Sequence, residues 1–151
     1  MKTAIVYVSE HHGNTKKLVD AIASADQVDV IDAAQVGHAA LDDYELIGFA
    51  SGVAFGEYYP QLLAFMRDNL PEGRPLFLMH TAGDPRETHA AAARAIADER
   101  RCTVLGVYFC KGFDTYGPFK LIGGIAKGHP TRDEIDGAVR FYEAICRKLQ
   151  G

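Results

Sequence analysis

The residues best suited to chemistry sit in one turn, SEHHGNT at 9–15, between the apolar run TAIVYV at 3–8 and a segment with helical spacing. A glycine-containing turn feeding a helix aims unpaired backbone N–H groups and the positive end of the helix dipole at one spot, so it suits an anion. Gly13 permits close backbone approach, and the short side chains of Ser9, Asn14 and Thr15 can add hydrogen bonds to phosphate oxygens. A plain helix cap fits the same residues. Lys16 and Lys17 tilt the balance toward an anion, because cations in a first helical turn are unfavourable without one nearby, but surface lysines need no such reason. Glu10 is uncomfortable beside a phosphate, which predicts that it points to solvent and that backbone amides carry the binding.

Two further stretches carry binding chemistry. In ASGVAFGEYYP, from 50 to 60, Gly52, Val53, Ala54 and Gly56 surround Phe55, and Tyr58 and Tyr59 precede the next helix. Small residues that expose backbone donors beside aromatic faces make a shelf for a flat ring, although each aromatic also suits packing under the helix. In HTAGDPRET, from 80 to 88, Gly83 and Pro85 punctuate a turn in which Thr81, Ala82 and Gly83 offer backbone contacts with Asp84 nearby. An ordinary strand-to-helix connection capped by Asp84 is the competing reading.

The elements that position these stretches follow from periodicity. Apolar runs at 3–8, 28–32, 45–50, 75–80 and 103–109 read as five strands. Helical stripes separate them: Leu18, Val19 and Ile22; Leu62, Leu63, Met66 and Leu70; and an alanine-rich segment from Arg86 to Arg100 that offers little bulk beyond Ile96. The last helix carries Ile135, Val139, Tyr142, Cys146 and Leu149 on one face, with Thr131 and Glu134 in a capping-box pattern. Strands buried on both faces and joined by helices predict an α/β doubly wound three-layer sandwich with a five-stranded parallel sheet in order 2-1-3-4-5. A ligand then lies beyond the carboxyl ends of the strands, between strands one and three, where the loops starting at Ser9, Ser51 and His80 converge.

Composition bounds the rest. The 151 residues are 48% hydrophobic, enough for one core and a single domain over 1–151. A net charge of -4 gives no nucleic-acid footprint. Cys102, Cys110 and Cys146 are odd in number and widely spaced, which fits reduced thiols in a cytoplasm. No stretch approaches the ~20 apolar residues of a spanning helix, so no membrane insertion is expected. A metal site from His11, His12 and His80 would sit at one sheet edge, but without a carboxylate or cysteine at ligand spacing, solvated or loop-packing histidines are preferred.

With those residues in place, the turn at 9–15 resembles the phosphate loop of flavodoxins, matching it at Gly13, Asn14 and Thr15, while Glu10 and His12 stand where that family usually has hydroxyls. The stretch around Gly52–Gly56 resembles the corresponding loop of flavodoxin-like proteins, especially the small quinone-linked protoporphyrinogen oxidases. The likeness covers nearly the whole chain in element order. It implies FMN as cofactor, with Ser9, His11, His12, Gly13, Asn14 and Thr15 at the phosphate. Gly52, Val53, Ala54, Phe55 and Gly56, and Thr81, Ala82, Gly83 and Asp84, would take the two sides of the ring. Many flavodoxins stack a tryptophan on the ring, and this chain has none.

The glycine-rich stretch from 111 to 130 is long for a connection, and its end, GGIAKGHP, is similar to a group of bacterial flavodoxin-family proteins. It could fold over the flavin edge through Phe113, Asp114 or Tyr116, or be an Ω-loop packed by Phe119, Leu121 and Ile122. The resemblance implies an electron-transfer flavoprotein that serves redox partner proteins or a small-molecule acceptor. The alternative is an FMN-dependent oxidoreductase acting on a quinone or another small molecule. A magnesium-dependent signalling module of the same topology lacks its phosphoacceptor, since Ala50 and Ser51 end the third strand.

Overall fold

The computed structural model describes residues 1–115 and 117–151, with the side chains at 11, 117 and 118 outside the description. Strand β1 (Thr3–Val8) is buried at every position, as a strand covered on both faces must be. It is followed by a 3-10 turn (His11–Gly13), helix α1 (Asn14–Ala25) and the short strand β2 (Asp29–Asp32). Strand β3 (Leu46–Ala54) folds back into the two-residue strand β4 (Glu57–Tyr58) and then helix α2 (Pro60–Asn69). Strand β5 (Pro75–Ala82), a 3-10 turn (Glu87–Ala90), helix α3 (Ala91–Glu99) and strand β6 (Thr103–Lys111) come next. A third 3-10 turn (Gly117–Ile122) and helix α4 (Arg132–Gln150) end the chain.

The parallel order is β2-β1-β3-β5-β6, which is the order expected from the sequence. One correction concerns the strand count: β4 pairs antiparallel with the end of β3, adding a sixth strand to the five parallel ones. A second concerns 86–100, expected as one helix. Arg86 is extended (φ -136°, ψ 148°), a 3-10 turn follows, and the α-helix starts only at Ala91. Alanine propensity could not foresee where Arg86 would be held.

Register aligns the strand ends that matter. Val8 pairs with Ser51, Ser51 with His80 and His80 with Phe109, so one row crosses the sheet just below the loops. On one face, α1 and α4 bury Leu18, Ile22, Tyr142 and Ile145 against Ile5, Phe77 and Met79. On the other, α2 and α3 bury Leu62, Met66 and Ile96 against Val6, Phe49 and Leu78. At the sheet centre Gly48 pairs with Phe77, and a Cβ at 48 would collide with the Phe77 ring. Among the described residues no helix is long and apolar enough to cross a membrane.

The capping box forms as read from the sequence. Glu134 N donates to Thr131 Oγ1 (3.2 Å) and Thr131 N to Glu134 Oε1 (2.8 Å). Thr131→Ala is expected to cost about 1 kcal/mol, seen as a lower urea midpoint at unchanged slope.

Candidate functional site

The carboxyl ends of β1, β3, β5 and β6 surround two adjoining hollows that share Val53, Ala82, Gly83 and Asp114. The inner slot is lined by Glu10, Asn14, Thr15, Gly52, Tyr59, Thr81, Gly112 and Phe113. It adjoins a cleft of about 460 Å³ between the β3–β4 hairpin, the turn after β5 and the loop after β6. That volume lies within the range of small-molecule pockets.

The first turn presents backbone to the slot. His12 (φ 59°) and Gly13 (φ 66°) are both left-handed, and Gly13, at the N-cap of α1, makes no side-chain cap. A side-chain cap comes instead from Ser9, whose Oγ accepts the Lys16 N–H in the first turn of α1 at 3.1 Å. Thr15 is buried and its Oγ1 lies 2.9 Å from Thr81 Oγ1, tying the first turn to the end of β5. Asn14 is buried as well; its Nδ2 donates to Phe113 O at 2.9 Å, while its Oδ1 has no hydrogen-bond partner. Glu10 is exposed, as expected, though it borders the slot. Lys16 is engaged by Asp20 at 2.8 Å, so an anion is not needed to explain it.

The second stretch is more strand than loop. Gly52, Val53 and Ala54 continue β3, and pairing of Val53 with Tyr58 and Ala54 with Glu57 leaves Phe55–Gly56 as a two-residue turn. Both are left-handed (φ 54° and 81°), which favours Asn-Gly and strains a phenylalanine. Phe55 is nonetheless fully exposed at the cleft edge. Tyr58 and Tyr59 are buried (1% and 5% exposed), as packing under the helix would have it, and Tyr59 also lines the inner slot. Tyr58 belongs to the core. Tyr59 lies under Gly52, where a Cβ would come within 2.6 Å of its hydroxyl oxygen. Ser51 Oγ accepts Tyr59 N–H (3.0 Å) and donates to Gly52 O (2.6 Å), fixing this corner.

At the third stretch, Thr81 and Ala82 end β5, and Gly83 is covered by Ile125, whose side chain would collide with any Cβ at 83. Asp84 neither caps a helix nor lies buried: it is exposed, pairs with Arg86 at 3.0 Å and lines the cleft, while Arg86 takes the N-cap position. His80 is fully buried, with Nδ1 at 3.0 Å from Tyr58 Oη and Nε2 at 2.8 Å from Arg86 O. Burial pushes its pKa down to about 4. With both nitrogens engaged it is no metal ligand, and the described residues hold no cluster of three or more His, Cys, Asp or Glu that could bind a metal.

The loop after β6 does reach the site. His12 stacks on Phe113 (centroids 4.4 Å apart) and its Nε2 lies 3.2 Å from Thr115 Oγ1. Asp114 bridges to Ile125, and Gly112 fits against Asn14, whose Nδ2 would be 2.8 Å from a Cβ there. Phe119 lines the cleft, whereas Leu121 and Ile122 are 87% and 72% exposed, so they do not pack the loop as one reading supposed. Tyr116 lies outside the described residues, as does the His11 side chain. Sequence reading missed Gly112, Arg86 and His89 as lining residues. Gly112 stood directly beyond the fifth strand, where the sheet rule points; Arg86 and His89 were absorbed into a helix that starts later.

Comparison with known proteins agrees with this arrangement. A flavodoxin domain family model matches residues 4–101. An uncharacterized protein of Methanocaldococcus jannaschii is 34% identical over 149 residues, covering 97% of this chain and 99% of that protein. Among solved structures, a flavodoxin from the domain Archaea has a TM-score of 0.63 at 20% identity, covering 99% of both chains. Oxidised flavodoxin 2 from Bacillus cereus has a TM-score of 0.66 at 17% identity, covering 98% of this chain and 99% of that one. The Fusobacterium nucleatum flavodoxin bound to flavin mononucleotide has a TM-score of 0.64 at 13% identity, covering 95% and 98%. At those identities the structures attest the fold, while the family match carries membership. With that domain running from Ala4 in β1 to Arg101 just before β6, the chain belongs to the flavodoxin family.

Proposed function

We propose that the cleft binds FMN and that the protein is an electron carrier in the cytoplasm, built as one domain. The observation that carries the reading is the inner slot, where the start of α1, entered through the side-chain-free Gly13, adjoins a largely apolar cleft with room for a flat ring system. The amides of 11–15, with Ser9 and Thr15, would hold the phosphate. Asn14 Oδ1 is a buried acceptor, so it would take a hydroxyl of the sugar-alcohol chain rather than a phosphate oxygen. Residues 52–56 would line one side of the ring, with 81–84 and Asp114 on the other. Bound FMN would supply one- or two-electron chemistry; the protein's part is to bind, orient and shield it. Phe55, Leu121 and Ile122 are exposed on segments that border the cleft, and such apolar side chains suit transient contact with a redox partner protein.

Purified protein is expected to be yellow and to release a chromophore with the mass of FMN on denaturation. Riboflavin, lacking the phosphate, is expected to bind at least about tenfold more weakly than FMN. A colourless protein that takes up no FMN at micromolar concentration overturns the reading, and steady quinone reduction with a nicotinamide donor would replace the carrier role with an enzymatic one.

A further inference from the structure

We propose that His80 is the positioning residue of the cleft: a neutral imidazole with its proton on Nε2 that ties the β3–β4 hairpin to the turn after β5 and so sets the spacing of the two walls. The inference rests on the FMN reading only for what lies between those walls.

The assignment comes from hydrogen-bond chemistry. Arg86 O can only accept, so the Nε2 atom 2.8 Å away must carry the proton. A neutral ring then leaves a lone pair on Nδ1, which accepts from the Tyr58 hydroxyl at 3.0 Å. Tyr58 belongs to β4, on the hairpin wall, and Arg86 belongs to the opposite wall. The tie continues one step, because Arg86 N donates to His89 Nδ1 at 3.2 Å and His89 lines the cleft. Phe109 stacks flat on the imidazole at 5.2 Å between centroids, with an 11° angle between planes, and so fixes the ring's plane. A fully buried side chain with both nitrogens bonded and its face covered has no freedom left to reorient. The groups facing it are Tyr58 from β4, Arg86 and His89 from the turn, neutral Ser51 beside it on β3 and apolar Phe109 on β6. None offers a carboxylate to stabilise an imidazolium.

The test uses the whole protein and two independent readouts. Imidazole ¹⁵N shifts of the wild type are expected to report the Nε2–H form without titration between pH 8 and 5, whether or not FMN binds. An Nδ1–H form, or titration near pH 6.5, overturns the proposal. For affinity, His80→Phe keeps the stack on Phe109 but cuts both ties, and its FMN dissociation constant is expected to rise by roughly tenfold. His80→Gln, whose amide nitrogen can take the place of Nε2, is expected to recover most of that loss. Ile96→Val, a mild core change on α3, controls for lost stability and is expected to leave the affinity unchanged. His80→Phe binding within twofold of wild type, or a loss matched by Ile96→Val, overturns the proposal. If the wild type shows the Nε2–H form but binds no FMN, the cofactor reading fails and the tie stands.

Discussion

Acidification from pH 7 to pH 4 is expected to remove about 3 kcal/mol of folding stability through His80, and His80→Gln is expected to lose that much less over the same range. The folded pKa is depressed to about 4 because burial penalises the charged ring, whereas an unfolded histidine titrates near 6.5. Between those values the unfolded chain binds the extra proton, so stability rises with pH through the window and falls as pH drops from about 6.5 to 4. At pH 4 the loss is nearly complete, and it levels off about one unit lower, once the folded ring is protonated too. His89 is lowered too, first by burial and then by Arg86, and contributes with the same sign in both proteins. Tyr58, raised by burial against the opposing charge of Arg94 on α3, stays protonated throughout. Urea unfolding of both proteins at pH 7, 5.5 and 4 measures the effect; parallel losses would refute it.

Phe77→Ala is expected to destabilise the fold by about 3–5 kcal/mol, the usual range for emptying a large aromatic site. Its ring is fully buried and packs edge-on against Phe141 and Tyr142, with centroids 6.0 and 5.9 Å away. It also covers Gly48 on the neighbouring strand, so the absence of a side chain there is part of the ring's seat. Gly48→Ala alone should overpack by about 1–3 kcal/mol. The double variant is expected to be less destabilised than the sum, since the new methyl enters space the ring has left. Urea unfolding of all four proteins gives the cycle, and strict additivity would show that the two sites do not share that space.

The parallel sheet was legible because its strands are short apolar runs bounded by turns, and the parallel order follows once helices alternate with them. TAIVYV and PLFLMH could hardly be placed otherwise. The turn at 9–15 was legible as a turn for a different reason: a glycine free to be left-handed, Gly13, is followed by the short polar side chains of Asn14 and Thr15, a pattern that suits a helix start whether it caps or holds an anion. The hairpin was harder. Val53 and Ala54 are equally at home in loop or strand, and Phe55 is a poor residue for a left-handed turn, so nothing local announced the reversal. Of the two tyrosines that follow, Tyr58 went to the core and Tyr59 to the lining of the slot, a division that nothing in the pair of identical side chains announced. His80 ended an apolar run and gave no hint that each ring nitrogen would find a partner, because those partners lie 22 residues upstream and 6 downstream.

The seat of Ile125 on Gly83 means that two distant stretches of this chain cannot be redesigned separately. An engineer wishing to widen the pocket mouth for a bulkier guest would have to alter both partners together. Any side chain grafted at 83 alone would lift the cover off the neighbouring turn and, through the ladder between Asp114 and Ile125, disturb the strip of chain that borders the slot.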